Sequence, residues 1–178
     1  MLPIVRSIAV LVLLLSALPS LASAQAAPSR ERVRQMLSGV EDTPSDEDWR
    51  RLGDGTIAVL IDLYGDADEP PYVRLRAIGA TAAFPRPAVR TFLLAVARVE
   101  GQGDLFIREA VMALARGFGA AASGDLRPFL AHDEPVVREA AARALGRIGD
   151  AGATRALRAR LAVERDPTVR EAIEAALR

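Results

Sequence analysis

Apolar positions recur along the chain with a helical period that restarts four times. The restarts align on a Val/Ile-Arg pair: Val73-Arg74, Ile107-Arg108, Val137-Arg138 and Val169-Arg170, separated by 34, 30 and 32 residues. Three, four, seven and eight positions after the Val/Ile, the chain is small or apolar. The second copy reads Ala110, Val111, Leu114 and Ala115; the third Ala140, Ala141, Ala144 and Leu145; the fourth Ala172, Ile173, Ala176 and Leu177. The first copy keeps Ala77 and Ala80 but carries Arg76 and Thr81. Such spacing marks one buried face of an amphipathic helix, and its recurrence marks a repeat.

Punctuation supports these helices. Glu134-Pro135 and Asp166-Pro167 put an acid ahead of a proline, and proline suits the first helical position. Gly117/Gly119 and Gly146/Gly149 suit helix ends, after which Asp150 can cap the next helix. Intervening helices are predicted at Thr56–Tyr64, Pro87–Val99, Ser123–Ala131 and Ala153–Val163, each closing the unit that a Val/Ile-Arg helix opens. Arg30–Leu37 and Asp46–Leu52 read as short helices ahead of them. No segment alternates as a strand would.

The repeats resemble the HEAT repeat family in its short bacterial, phycobilisome-lyase-type form. The best match runs Asp133-Glu134-Pro135-Val136-Val137-Arg138-Glu139-Ala140-Ala141-Ala142-Arg143-Ala144-Leu145-Gly146-Arg147-Ile148-Gly149-Asp150, and the resemblance extends over about residues 50–178. It implies an all-α, right-handed superhelical solenoid of about four helix pairs. It also implies that the intervening helices line a concave side, and that acid–arginine ladders join neighbouring repeats. The family hosts scaffolds, adaptors and a few lyases, so the motif speaks for fold more than for function.

The first 24 residues follow a different pattern. After Met1–Arg6, an apolar run of eleven residues, Ile8–Leu18, is too short for a membrane span but suits a secretory signal core. Pro19 ends it, and Ala22-Ser23-Ala24 offers a peptidase site, with cleavage expected before Gln25. The chain then divides into a signal peptide (1–24), acidic short helices (25–55) and the repeat domain (56–178). An exported protein, periplasmic or secreted, is expected, with no membrane span after cleavage.

Composition narrows the chemistry. All 23 basic residues are arginine, and the mature chain would carry 22 of them against 23 acids, which argues against general nucleic-acid binding. There is no cysteine, hence no disulfide or thiolate site. His132, the only histidine, adjoins Asp133 and Glu134 but lacks the spaced ligands of a zinc site, and reads as a solvated turn. No serine lies in a Gly-x-Ser-x-Gly elbow, and Gly101-Gln102-Gly103 and Gly117-Phe118-Gly119 follow no strand. No catalytic residue, metal or cofactor is therefore expected.

Three features bear on partners. The acid–arginine spacings Asp104/Arg108, Glu134/Arg138, Asp166/Arg170 and Glu69/Arg74 repeat in every unit and read as structural pairs. Residues 41–69 hold ten acids against two arginines, whereas residues 70–178 hold 17 arginines against 12 acids. That asymmetry is either solvated surface or a field that steers a partner or a second copy. On the intervening helices, Arg86, Arg90, Arg127, Arg155 and Arg158 are the candidate partner-binding residues, suited to an acidic peptide or acidic protein face. Trp49, Tyr64 and Tyr72 read as core filling before an interaction patch. At the C-terminal end, the helix reaching Arg178 has no following mate. Unless Arg170, Glu171, Glu174 and Arg178 cap it, Ile173 and Leu177 border an edge open to a second copy. The expected function is an exported, non-catalytic protein-interaction scaffold; the alternative is an accessory subunit or chaperone that presents a substrate to a separate enzyme.

Overall fold

The computed structural model describes residues 27–39, 43–99 and 101–178. The expected signal segment and its cleavage site lie outside the described residues. Among the described residues the fold is an all-α solenoid without strands. Two short helices, α1 (Arg30–Ser38) and α2 (Asp46–Arg51), precede α3 (Thr56–Gly65), α4 (Pro71–Ala80), α5 (Pro87–Arg98) and α6 (Asp104–Phe118). There follow α7 (Ser123–Leu126), α8 (Pro135–Ile148), α9 (Ala151–Leu161) and α10 (Pro167–Ala176), with 3₁₀ turns at Thr81–Ala83, Gly119–Ala122 and Arg127–Ala131.

Local signals start the helices as expected, with one exception. Pro71, Pro87, Pro135 and Pro167 occupy first-turn positions. The Asp166 carboxylate accepts from the amides of Thr168 and Val169 at 2.9 and 3.0 Å, and that of Asp150 accepts from Ala153 at 2.7 Å. Glu134, by contrast, makes no side-chain cap. The helix predicted at 123–131 is a single α turn followed by 3₁₀ winding. Pro128 lacks an amide hydrogen, and its ring crowds the carbonyl four residues back, so α geometry cannot continue.

The Val/Ile-Arg helices α4, α6, α8 and α10 pack one on the next as a continuous layer, while of the intervening segments α3, α5 and α7 scarcely meet each other and only α9 packs on the Arg127–Ala131 turn. Small residues permit this closeness. Ala110, Ala113, Ala141, Ala142 and Ala144 are fully buried. A Cβ on Gly146 would lie 3.0 Å from Ala176 Cα, and one on Gly117 would lie 3.0 Å from the Ala82 carbonyl oxygen. Gly149 ends α8 in the left-handed region at φ 65°.

The phase of the repeat also differs from expectation. Helix α5 packs on α6 and hardly on α4, α3 packs on α4, and the Arg127–Ala131 turn packs on α8. Helices α4, α6 and α8 therefore close pairs instead of opening them, while α9 packs on both α8, as expected, and α10. At the C-terminal end α10 packs against both α8 and α9. Ile173 is fully buried and Leu177 half-buried against the core. At the other end α1 packs on α3 and α4, and α2 packs on the Thr81–Ala83 turn with Trp49 buried.

Candidate functional site

The acid–arginine spacings do not form the pairs their four-residue separation suggests. Arg138 turns away from Glu134. It donates to the His132 and Asp133 carbonyls at 2.8 and 2.6 Å, and forks onto Glu164 in the next turn at 2.9 and 3.1 Å. Arg170 likewise donates to the Leu161 and Glu164 carbonyls, both at 3.1 Å. Arg74 donates to the Tyr64 carbonyl at 2.8 Å and lies over the Tyr64 and Phe106 rings. These arginines close the tight turn ahead of their own helix, where the last carbonyls of the preceding helix lack partners.

Glu164 is the hub at the C-terminal turn. Its carboxylate also accepts from Arg160 Nε at 2.8 Å and from the Arg165 and Asp166 amides at 3.0 Å each. Burial pushes its pKa up, but the hydrogen bonds from Arg138, Arg160 and the two amides outweigh this and hold it well below the usual carboxylate range. Glu69 is its counterpart ahead of α4, gripped by Arg30 at 3.1 Å and Arg34 at 2.9 Å from α1.

Three of the five predicted partner-binding arginines serve the chain itself. Arg86 pairs with Asp54. Arg90 holds Asp125 at 2.8 Å and the Ala121 carbonyl at 3.0 Å. Arg127 lies by Gly152 and acts electrostatically on the Asp150 cap. They tie neighbouring units together, which is the ladder role expected of the other set. Arg155 and Arg158 stand exposed on α9 with no acid paired to them among the described residues.

The acidic block is also largely occupied. Arg30 reaches Asp62, Asp66 and Glu69, Arg51 reaches Glu47 and Asp48, and Asp46 faces Arg116 at 3.8 Å. Internal pairing thus consumes most of the field that might have steered a partner. Tyr64 stacks edge-on with Phe92 and Phe106, while Tyr72 lies apart, half-exposed beneath Arg76. His132 sits in its turn, where its Nδ1 accepts from the Glu134 amide at 3.1 Å.

What remains open is the face of the Val/Ile-Arg layer. A groove of about 1000 Å³ runs over α6, α8 and α10. Met112 and Ala172 line its floor, and Arg108, Arg143, Arg147 and Arg178 rim it with Glu139 and Glu171. Arg143 is paired with Glu139. Arg147 meets only Met112 Sδ, at 3.6 Å, and Arg178 has no partner among the described residues. Toward the N-terminal end the same layer is partly covered by the α1–α2 segment, leaving a hollow of about 420 Å³ between Met36, Trp49, Arg76, Glu109 and Arg116. There Glu109 is held above the usual carboxylate range by burial, against the pull of Arg116 and Arg108.

The groove escaped sequence reasoning, which weighed arginines helix by helix. The available signal was periodic: Arg116, Arg147 and Arg178 recur at intervals of 31 residues, close to the repeat length.

The stacked pairs, the ladder of arginine-held turns and the grooved Val/Ile-Arg layer define a helical-repeat solenoid. Residues 103–178 match the sequence profile of the HEAT repeats family, whose members are generally protein-interaction scaffolds. No curated protein matches the chain.

Proposed function

We propose that the protein is an exported, non-catalytic scaffold that holds a protein partner against its stacked helices. The observation that carries this reading is the open groove over α6, α8 and α10, formed where the helices are packed most tightly. A surface built on close-packed repeats is pre-formed, so a partner docks without the entropic cost of ordering it. Export rests on the residue pattern of positions 1–24, and a periplasmic or secreted location follows from it.

The test is affinity capture from extracts of the protein's own host at low and at moderate salt. One protein recovered in stoichiometric amount supports the reading, and its loss at higher salt adds that recognition is charge-led. Recovery of nothing at either salt, together with turnover of a small molecule in activity screens, would refute it.

A further inference from the structure

The proposed scaffold reading leaves the chemistry of the partner open, and the groove's charges narrow it. Arg116, Arg147 and Arg178 stand at the C-terminal ends of α6 and α8 and just past that of α10, one per unit along the layer. They reach back onto the preceding helix or line the groove. Arg116 donates to the Gly79 carbonyl on α4, Arg147 touches Met112 on α6, and Arg178 lines the groove beside α8. The result is a row of guanidinium groups across the helices, running along the stack.

At the N-terminal end of this row the chain supplies a carboxylate itself. Asp46, at the start of α2, lies 3.8 Å from Arg116, and Trp49, one turn on, is buried behind it. One and two units further along, Arg147 and Arg178 meet no acid among the described residues. The molecule thus shows, at one end, the kind of group the rest of the row lacks.

We infer that the groove over α6, α8 and α10 binds an extended acidic segment of a partner protein, lying along the row with its carboxylates on Arg147 and Arg178. This inference rests on the scaffold reading and specifies its ligand. Spacing adds a signature. Packed helices sit about 8–10 Å apart, and an extended segment in polyproline II form, with three residues per turn, rises about 3.1 Å per residue and keeps every third side chain on one side. Carboxylates every third residue therefore match successive arginines, and small or apolar residues between them face Met112 and Ala172 on the floor. Arginine suits this task because its planar fork takes a carboxylate through two parallel hydrogen bonds. A nucleic acid fits less well, since its dense phosphates, about one charge per 1.7 Å of duplex, would press against Glu139 and Glu171 on the same rim.

The probe is a fluorescein-labelled nine-residue peptide with glutamate at every third position and alanine between. An isomer with its three glutamates adjacent is the control, and both are titrated with the protein by fluorescence anisotropy. Saturable binding of the spaced peptide, tighter than that of its isomer and weakened by salt, is the expected result. Arg147→Glu and Arg178→Glu should each weaken it by roughly tenfold or more, with Arg147→Gln intermediate. Arg155→Glu and Arg158→Glu on α9 should leave it unchanged. All these side chains are exposed, and an unchanged helical circular dichroism spectrum checks that the variants fold. Equal binding of the two peptides, or equal loss in the α9 variants, overturns the assignment. So does a dimer that Arg147→Glu disperses, which would make a second copy the occupant, or displacement of the peptide by duplex DNA at lower concentration. If the host partner is captured equally well by wild type and by Arg147→Glu/Arg178→Glu, the scaffold reading stands and this site falls.

Discussion

Glu164 offers the sharpest test of what holds the C-terminal units together. Its side chain is 1% exposed and that of Arg138 is 10% exposed, so the pair sits almost entirely away from water. Five hydrogen bonds converge on the carboxylate, from Arg138 (two), Arg160 and the Arg165 and Asp166 amides. Removing one member of such a pair strands the other, at a cost of about 3–5 kcal/mol. Glu164→Ala should fall in that range, because it also orphans the two amides. Glu164→Gln keeps one carbonyl acceptor and should cost about 2–3 kcal/mol, the scale of one or two hydrogen bonds to a charged group. For a domain of this size each kcal/mol lowers Tm by about 2–4 °C, so Glu164→Ala should melt roughly 6–20 °C below wild type. Because the folded pKa of Glu164 is depressed, its stabilisation is fully present above the ordinary carboxylate pKa and drains away as pH falls toward the folded value. The gap between wild type and Glu164→Gln, measured by urea unfolding at 222 nm, should therefore be widest near neutral pH and narrow steadily below about pH 4. A Glu164→Gln protein within about 0.5 kcal/mol of wild type at pH 7, or a gap that widens in acid, would refute the hub role.

Other outcomes follow from the packing. Gly146→Ala places a Cβ against the α10 backbone at Ala176 and should destabilise by about 1–3 kcal/mol, despite the higher helix propensity of alanine; a gain in Tm would show that α8 and α10 are less tightly apposed. Arg90→Ala breaks the tie to Asp125 and the Ala121 carbonyl and should cost about 1 kcal/mol, whereas Arg155→Ala should stay within about 0.5 kcal/mol; parallel urea titrations distinguish the two. N-terminal sequencing of the protein recovered from its host should begin at Gln25; a chain that still starts at Met1 would contradict export through a cleaved signal.

How much of this was legible beforehand can be read from particular residues. The spacing that makes Ala140, Ala141, Ala144 and Leu145 one face was visible as periodicity, and all four are buried. Helix starts at Pro135 and Pro167 and the Asp166 cap were equally plain, because a proline's missing donor and an aspartate's short acceptor act within one turn of chain. Pro128 was plain too, yet its consequence was missed: the apolar spacing around it fits a helix that the backbone cannot complete.

Local chemistry along the chain determined the helices, their buried faces, the alanine-rich core and the repeat. Tertiary structure alone decided which neighbour each helix prefers, and hence that α4, α6 and α8 close pairs with the helical segments that precede them. It also decided the destination of every arginine. A guanidinium on a long, flexible stem can reach acids in its own helix, in the next turn or in the next unit, and sequence spacing measures only the first. Arg138 passes over Glu134 for Glu164, 26 residues away, because the turn between α9 and α10 presents a buried carboxylate and bare carbonyls within its reach. By the same logic Arg147 and Arg178, which packing leaves beside the groove with no acid among the described residues, became identifiable only once the other pairings were known.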